Sequence, residues 1–416
     1  MKPKKVILLT NTYPPIGGIG GRRWVKFIKY LSPKNDFFVF CTSAIQKKSR
    51  SSWTHDLINL HKIKYIKSFY PKYLSKTPIS FFDKFMYRIS LLFLKFFTKG
   101  NYYDRSVLFN DEINKLLERK ILEGYHNVVV TMPPFQLSYH ILKTLYKYPF
   151  VKLILDFRDP WTTNKTSYSY DQISSERLAY EKEIEKEVLA RSNVIISVLD
   201  EMSFYFKSIN TNSTSIYKTI ANGFDPEDFV NLLQVNQPSN ELCFIFAGSM
   251  YEGTEKYLKA LANALLNIKN KNPEIYKRFK FDFYGSAPHF FKKYEKACPI
   301  IKHHGEIPLS KMHVEIKKAN VCMLLLSDHL DYSFSTKFYE YIALNKPIAV
   351  LGREGKTSAM ILKHKLGYLL DPENIEKQLI QIMDQFISGD IVQTNHFDTS
   401  SYAIPVLAKE IEKLFI

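Results

Sequence analysis

Residues 333–351 read Ser333-Phe334-Ser335-Thr336-Lys337-Phe338-Tyr339-Glu340-Tyr341-Ile342-Ala343-Leu344-Asn345-Lys346-Pro347-Ile348-Ala349-Val350-Leu351: a polar loop, a short amphipathic helix, a tight turn and a buried strand. Ser335 and Thr336 at a helix start leave first-turn backbone N–H groups free to meet an anion, and the helix dipole adds about half a positive charge there. Lys337 brings an ammonium into that turn, and Glu340 lies one position further round the same face. A cation for a diphosphate and a carboxylate for vicinal ribose hydroxyls are what a bound nucleotide diphosphate requires. An ordinary helix packed on a parallel sheet, with a solvated Lys and Glu, accounts for the same letters. The reading therefore depends on what surrounds the segment.

Outward from it, apolar runs rich in β-branched and aromatic residues alternate with helical patterns along the whole chain, the signature of parallel α/β construction. Strands are predicted near Val6–Thr10, Phe37–Cys41, Asn127–Thr131, Val151–Asp156, Val194–Val198 and Ser215–Ile220. Helices are predicted between them at Arg22–Leu31, Asn110–Leu122, Phe135–Leu145 and Ser174–Ala190. The pattern restarts with strands at Leu242–Ala247, Lys280–Tyr284, Val321–Leu326 and Pro347–Leu351. Two doubly wound units are expected, each binding ligand in the crevice at the carboxyl ends of its strands. Turn residues Asn222-Gly223-Phe224-Asp225-Pro226 and the polar stretch Gln234–Glu241 mark the linker. The expected domains are residues 1–221 and 222–400, with a final helix in 401–416.

The 416 residues are 45% hydrophobic and 15% aromatic, which excludes a disordered chain. Cys41, Cys243, Cys298 and Cys322 are scattered without CxxC spacing, so a reduced compartment is expected and no zinc site. Met1–Thr10 is a short basic lead into a strand, without the apolar core and cleavage site of a signal peptide, so a cytoplasmic protein is expected. Residues 1–110 hold 21 Lys and Arg against four Asp and no Glu, an excess equal to the whole net charge of +17. The remainder is balanced. Such an asymmetry calls for an anionic partner at that end, either a membrane surface or a nucleic acid.

Four further stretches carry chemistry. Tyr13-Pro14-Pro15-Ile16-Gly17-Gly18-Ile19-Gly20-Gly21-Arg22-Arg23-Trp24 is a glycine-rich turn opening a helix, where Gly18 and Gly20 let the backbone approach a ligand; a bland tight turn fits too. It is not the GxGxxG of a nicotinamide site. Asp156-Phe157-Arg158-Asp159-Pro160-Trp161 ends the fourth strand. Asp159 is placed to accept or orient a proton and Arg158 to hold an anion or fix that carboxylate, the alternative being a structural ion pair. Gly248 and Ser249 form a small-residue turn that would lie against the diphosphate from the opposite side, or serve only as a β-to-α turn. Ile79–Phe97 is apolar but interrupted by Asp83, Lys84, Arg88 and Lys95, so it does not span a bilayer. Lys84, Arg88 and Lys95 follow one stripe of a helix whose remainder carries Phe85 and other aromatics. That pattern fits an interfacial amphipathic helix, and the alternative is an apolar face packed on the domain core. No recognisable nucleic-acid module, HExxH or GxSxG elbow is present.

Taken in order, the Pro-Pro-Ile-Gly-Gly loop with Arg23-Trp24-Val25-Lys26-Phe27, the Asp156–Trp161 segment, Asn222-Gly223-Phe224-Asp225 and Lys337-Phe338-Tyr339-Glu340-Tyr341 resemble the family-4-like glycosyltransferases of the GT-B fold. The resemblance runs nearly end to end. It implies two Rossmann-like doubly wound domains facing a central cleft, with the nucleotide sugar held by the C-terminal domain and the acceptor by the N-terminal one. It further implies a final helix that crosses back to the first domain. A retaining, metal-independent transfer from a nucleotide diphosphate sugar to a glycan or lipid-linked acceptor, in cell-surface polysaccharide synthesis on the inner membrane face, is what it leads one to expect. Lys337 and the helix amides would stabilise the leaving diphosphate, with Ser335, Thr336, Gly248 and Ser249 beside them. Two departures stand out. Relatives often carry two glutamates separated by seven residues, and here the earlier position is Tyr332; the Arg common after the first strand of the second domain is Ser249. A nucleotide-sugar 2-epimerase of the same fold, a non-catalytic nucleotide-sugar binder and a nucleic-acid binder are the other readings.

Overall fold

The apolar runs become parallel strands, and the central ones are buried on both faces. The computed structural model describes residues 2–15, 19–43, 56–57, 61–67, 71–75, 78–101, 104–164, 170, 173–210, 214–230, 232, 240–248, 250, 253–286, 291–326 and 334–416. The chain divides into two compact units, Met1–Ala221 with Ile404–Ile416, and Asn222–Ala403.

The first unit contains β1 (Lys4–Thr10), β2 (Asn35–Ser43), β3 (His61–Lys67), β4 (Asn127–Met132), β5 (Lys152–Phe157), β6 (Val194–Ser197) and β7 (Ile216–Thr219). They form one sheet in the order β3-β2-β1-β4-β5-β6-β7, parallel throughout. β4 is buried at every position, as a central strand covered on both faces must be. The helix expected over Phe135–Leu145 is two short ones, Gln136–His140 and Leu142–Leu145. The helix Ser175–Arg191 starts where the Ser174 hydroxyl accepts the Arg177 N–H at 3.2 Å. The last helix is Ile404–Glu412. Its Ile404, Leu407, Ala408 and Ile411 share a core with Trp24, Val25, Phe27 and Ile28 of the helix Arg22–Leu31. Asn127 clamps the chain end, donating to the Ile416 carbonyl at 3.1 Å and accepting from its N–H at 2.9 Å.

The second unit contains β8 (Leu242–Ala247), β9 (Phe279–Tyr284), β10 (Ile301–Gly305), β11 (Val321–Leu325), β12 (Ile348–Leu351) and β13 (Gly367–Leu370). Their order is β10-β9-β8-β11-β12-β13, again parallel. The first six strands of each sheet therefore share one winding. In it the chain order reverses between β1 and β4, and between β8 and β11, and the helices leaving that point splay apart to open a crevice.

Candidate functional site

In the second unit the reversal point is occupied by the turn after β8 and the helix Thr336–Ala343. Ser335 is the helix N-cap, its hydroxyl accepting the Phe338 N–H at 3.3 Å. Phe338, Tyr339, Tyr341 and Ile342 are buried, and Phe334 stacks on Phe338 with ring centroids 4.9 Å apart. The Tyr341 hydroxyl accepts the Ala247 N–H at 3.3 Å, which ties the helix to the end of β8. The cap satisfies Phe338, while Thr336 and Lys337 occupy helix positions whose N–H groups have no intrahelical acceptor. Their amides are the ones available to an anion.

Lys337 folds back over this turn. A Cβ built on Gly248 would lie 2.1 Å from the Lys337 Cε and 2.4 Å from its Nζ, and Gly248 has φ of +156°. The ammonium lies 6.0 Å from the Phe246 ring centroid. The backbone conformation favours glycine here, and the absence of a side chain leaves the space that the end of the lysine fills. Burial pushes the Lys337 pKa down, and the Glu340 carboxylate on the next turn acts against that shift. Glu340 itself is 8% exposed. Gly285, at φ of +133°, sits equally close: a Cβ there would lie 1.9 Å from the Gly248 carbonyl oxygen. Thr336 and Ser335 are half-buried beside the lysine, while Ser249 lies outside the described residues.

A cavity of about 450 Å³ opens at the carboxyl ends of β8, β12 and β13, lined by Lys256, Tyr257, Arg353, Glu354, Asp371, Pro372 and Glu373. Sequence reasoning does not single out Arg353 or Asp371. Both lie in short charged turns, and only the sheet order brings them together with Lys256. His303 and His304 are structural: His303 Nε2 is 3.0 Å from the Gly285 carbonyl, and His304 Nε2 is 2.7 Å from Asp282.

In the first unit the segment after β5 meets the turns after β1 and β4. Arg158 donates from Nη1 to the Gly20 carbonyl at 3.0 Å and from Nε to the Met132 carbonyl at 3.1 Å. Its guanidinium thus braces three loops at one sheet end. Asp159 follows it, half-buried, whereas Gly18 lies outside the described residues. Asp156 is fully buried and structural: it pairs with Arg23 at 3.1 Å and accepts from Trp24 Nε1 at 2.7 Å and from Thr131 at 3.2 Å. Arg23 also donates to the carbonyls of Ala221 and Ile220 at 2.6 and 2.8 Å. The sequence motif therefore mixes a scaffold carboxylate, Asp156, with a candidate for chemistry, Asp159, three residues later.

Behind this edge lies a buried polar network. Glu181 accepts from Trp161 Nε1 and from Gln136 at 2.8 Å, from Asn101 at 3.0 Å and from Arg177 Nε at 2.8 Å. Glu185 accepts from Thr162 and from Tyr205, the latter at 3.2 Å, and burial pushes its pKa up to about 7. Lys84, Phe85, Arg88 and Lys95 stand apart on the helix Phe81–Phe97, all exposed.

No protein-family profile and no curated protein matches the chain. Solved structures do. Alr3699/HepE of Anabaena, in complex with UDP and glucose, matches over 99% of this chain and 98% of that one, at 10% identity and a TM-score of 0.60. Sucrose-phosphate synthase of Thermosynechococcus elongatus covers 100% of this chain and 95% of its own, at 13% identity and 0.58. A Listeria monocytogenes protein named as a UDP-N-acetylglucosamine 2-epimerase covers 99% and 95%, at 12% identity and 0.57. End-to-end likeness at such identities carries architecture, and with the two sheet orders above it shows a GT-B fold built of two parallel-sheet Rossmann-like units.

Proposed function

We propose that this protein is a glycosyltransferase that takes a sugar from a nucleotide diphosphate sugar. The observation that carries this reading is the Lys337 ammonium lying over Gly248 at the reversal point of the second sheet, in the first turn of a helix. One structural neighbour supports it: Alr3699/HepE is in complex with UDP and glucose in one structure and with UDP-glucose in another. In this reading Lys337 and the amides of Thr336 and Lys337 stabilise charge on the departing diphosphate. Glu340 accepts from the ribose hydroxyls. Asp159 orients the acceptor hydroxyl, and Arg158 is a positioning residue that holds the loops around it. Transfer to a glycan or lipid-linked acceptor at a membrane face, of hexosyl type, with retention and without a metal, is the finer form of the proposal.

The first test is a donor screen by thermal stability with UDP, GDP, TDP and their sugars. A bound ligand stabilises the folded state by mass action, by about 2.7 kcal/mol at a hundred times its Kd. A rise with one nucleotide sugar is expected; no rise with any of them in folded protein would remove the donor-site assignment. The similarity to a 2-epimerase makes one control obligatory. Sugar isomerised without any acceptor would replace the transferase reading by that one.

A further inference from the structure

We propose that the helix Phe81–Phe97 is a docking surface for an anionic lipid bilayer, lying in the interface with its phenylalanines inserted. The helix begins at a capping box in which Ser80 accepts the Asp83 N–H at 3.0 Å and Asp83 accepts the Ser80 N–H at 3.2 Å. At about 100° per residue, its side chains sort into three stripes. Ser90 and Leu94 are its buried residues and mark the side turned to the protein. Roughly opposite stand Phe81, Phe85, Leu92 and Phe96, with Phe81 88%, Leu92 67% and Phe96 79% exposed, and Phe82, Ile89 and Phe93 extend the apolar stripe along one flank. Ile79, just before the helix, is 86% exposed. Lys84, Arg88 and Lys95 form the third stripe, beside the apolar one and also exposed. The apolar face thus does not pack on the core of its unit: only Ser90 and Leu94 of the helix are buried, and they lie on its other side.

A contiguous exposed face of this kind marks a surface that another phase or molecule covers. Charge selects the occupant. Lys84, Arg88 and Lys95 flank the apolar stripe, and the first 110 residues carry the whole excess of +17, so a second copy would set like charges against one another, whereas anionic headgroups complement them. Among the described residues no helix is long and apolar enough to cross a membrane, so the insertion is interfacial. The far end of the helix is fixed to the first unit. The Thr98 carbonyl accepts Arg177 Nη1 at 2.8 Å, Arg177 pairs with Glu181, and Glu181 holds Trp161, two residues beyond Asp159. The end of the helix is therefore tied, through these buried bonds, to the segment that follows β5. This deepens the transferase reading by making the acceptor a molecule carried in that bilayer, and that consequence alone rests on the reading.

The test is flotation of the full chain with vesicles of phosphatidylcholine alone and of phosphatidylcholine mixed with phosphatidylglycerol. Binding is expected to the anionic vesicles, to weaken with added salt, and to fall by about tenfold or more in F81S/L92S/F96S, because affinity follows buried apolar area. These positions are exposed, so the variant should keep the wild-type melting temperature and nucleotide response. No binding by wild type, or equal binding by the variant, overturns the proposal. So does a lipid-free dimer of the wild type that the variant dissolves, which would assign the face to a second copy. Absence of any nucleotide response in a protein that still floats with anionic vesicles would remove the transferase reading and leave the docking surface standing.

Discussion

At the scale of single residues, the site is a lysine packed where a glycine makes room. Gly248→Ala would place a methyl group 2.1 Å from the Lys337 Cε and put alanine at φ of +156°. The lysine end is the movable partner, so the ammonium is displaced and the backbone strain adds on the order of 1–3 kcal/mol. Lys337→Met keeps the stem and removes the charge, forfeiting charge-assisted bonds of roughly 1.5–3 kcal/mol. Each change should weaken nucleotide binding about tenfold or more, and the double variant should be little worse than either, since both act on one ammonium. Titration calorimetry of the three variants checks this; full additivity would separate Gly248 from the lysine. Glu340→Ala should weaken donor binding while leaving the protein folded, and an unchanged donor affinity would take Glu340 out of the ribose role.

At the scale of elements, the Asp156–Arg23 pair joins β5, the helix Arg22–Leu31 and the chain leaving β7. Asp156→Asn removes the carboxylate that pairs with this buried guanidinium, at about 3–5 kcal/mol. A clear fall in denaturant midpoint is expected, whereas Asp111→Asn, which loses only an exposed contact to Lys143, should leave it where it is. The elements also show what the letters can carry. Strands buried on both faces, such as β1, β4 and β8, stand out as apolar runs, and the segment 333–351 is legible because a buried strand follows a patterned helix. β3, β10 and β13 do not stand out. All three lie at sheet edges, where one flank meets solvent and residues such as Lys62, Lys64 and Lys302 interrupt the run. In the sequence β3 merges into a basic aromatic stretch for that reason. The roles of Asp156 and Arg158 are equally hidden, because partners such as Arg23 and Gly20 lie more than a hundred positions away and only the winding of the sheet brings them together. A carboxylate at a strand end signals that a site is near without saying which one serves the scaffold.

At the scale of the whole molecule, stability should depend on pH through the buried carboxyl of Glu185. Burial is the largest cause of its raised pKa, while the hydrogen bonds from Thr162 and Tyr205 lower it and the Glu181 carboxylate raises it further. The folded chain holds this proton up to about pH 7, whereas an ordinary glutamate releases it near 4.5. Between those values the folded state binds more protons than the unfolded one, so stability falls as pH rises through the window and levels off above it. The expected loss is on the order of 3 kcal/mol, since each pH unit between the folded and unfolded pKa values is worth about 1.4 kcal/mol. Glu185→Gln keeps a neutral group that accepts from Thr162 and Tyr205, so it should remove this slope and raise stability above pH 7 while changing little near 4.5. Urea midpoints of both proteins across pH 4.5–8 decide it. Parallel curves would mean that Glu185 is already ionised in the fold.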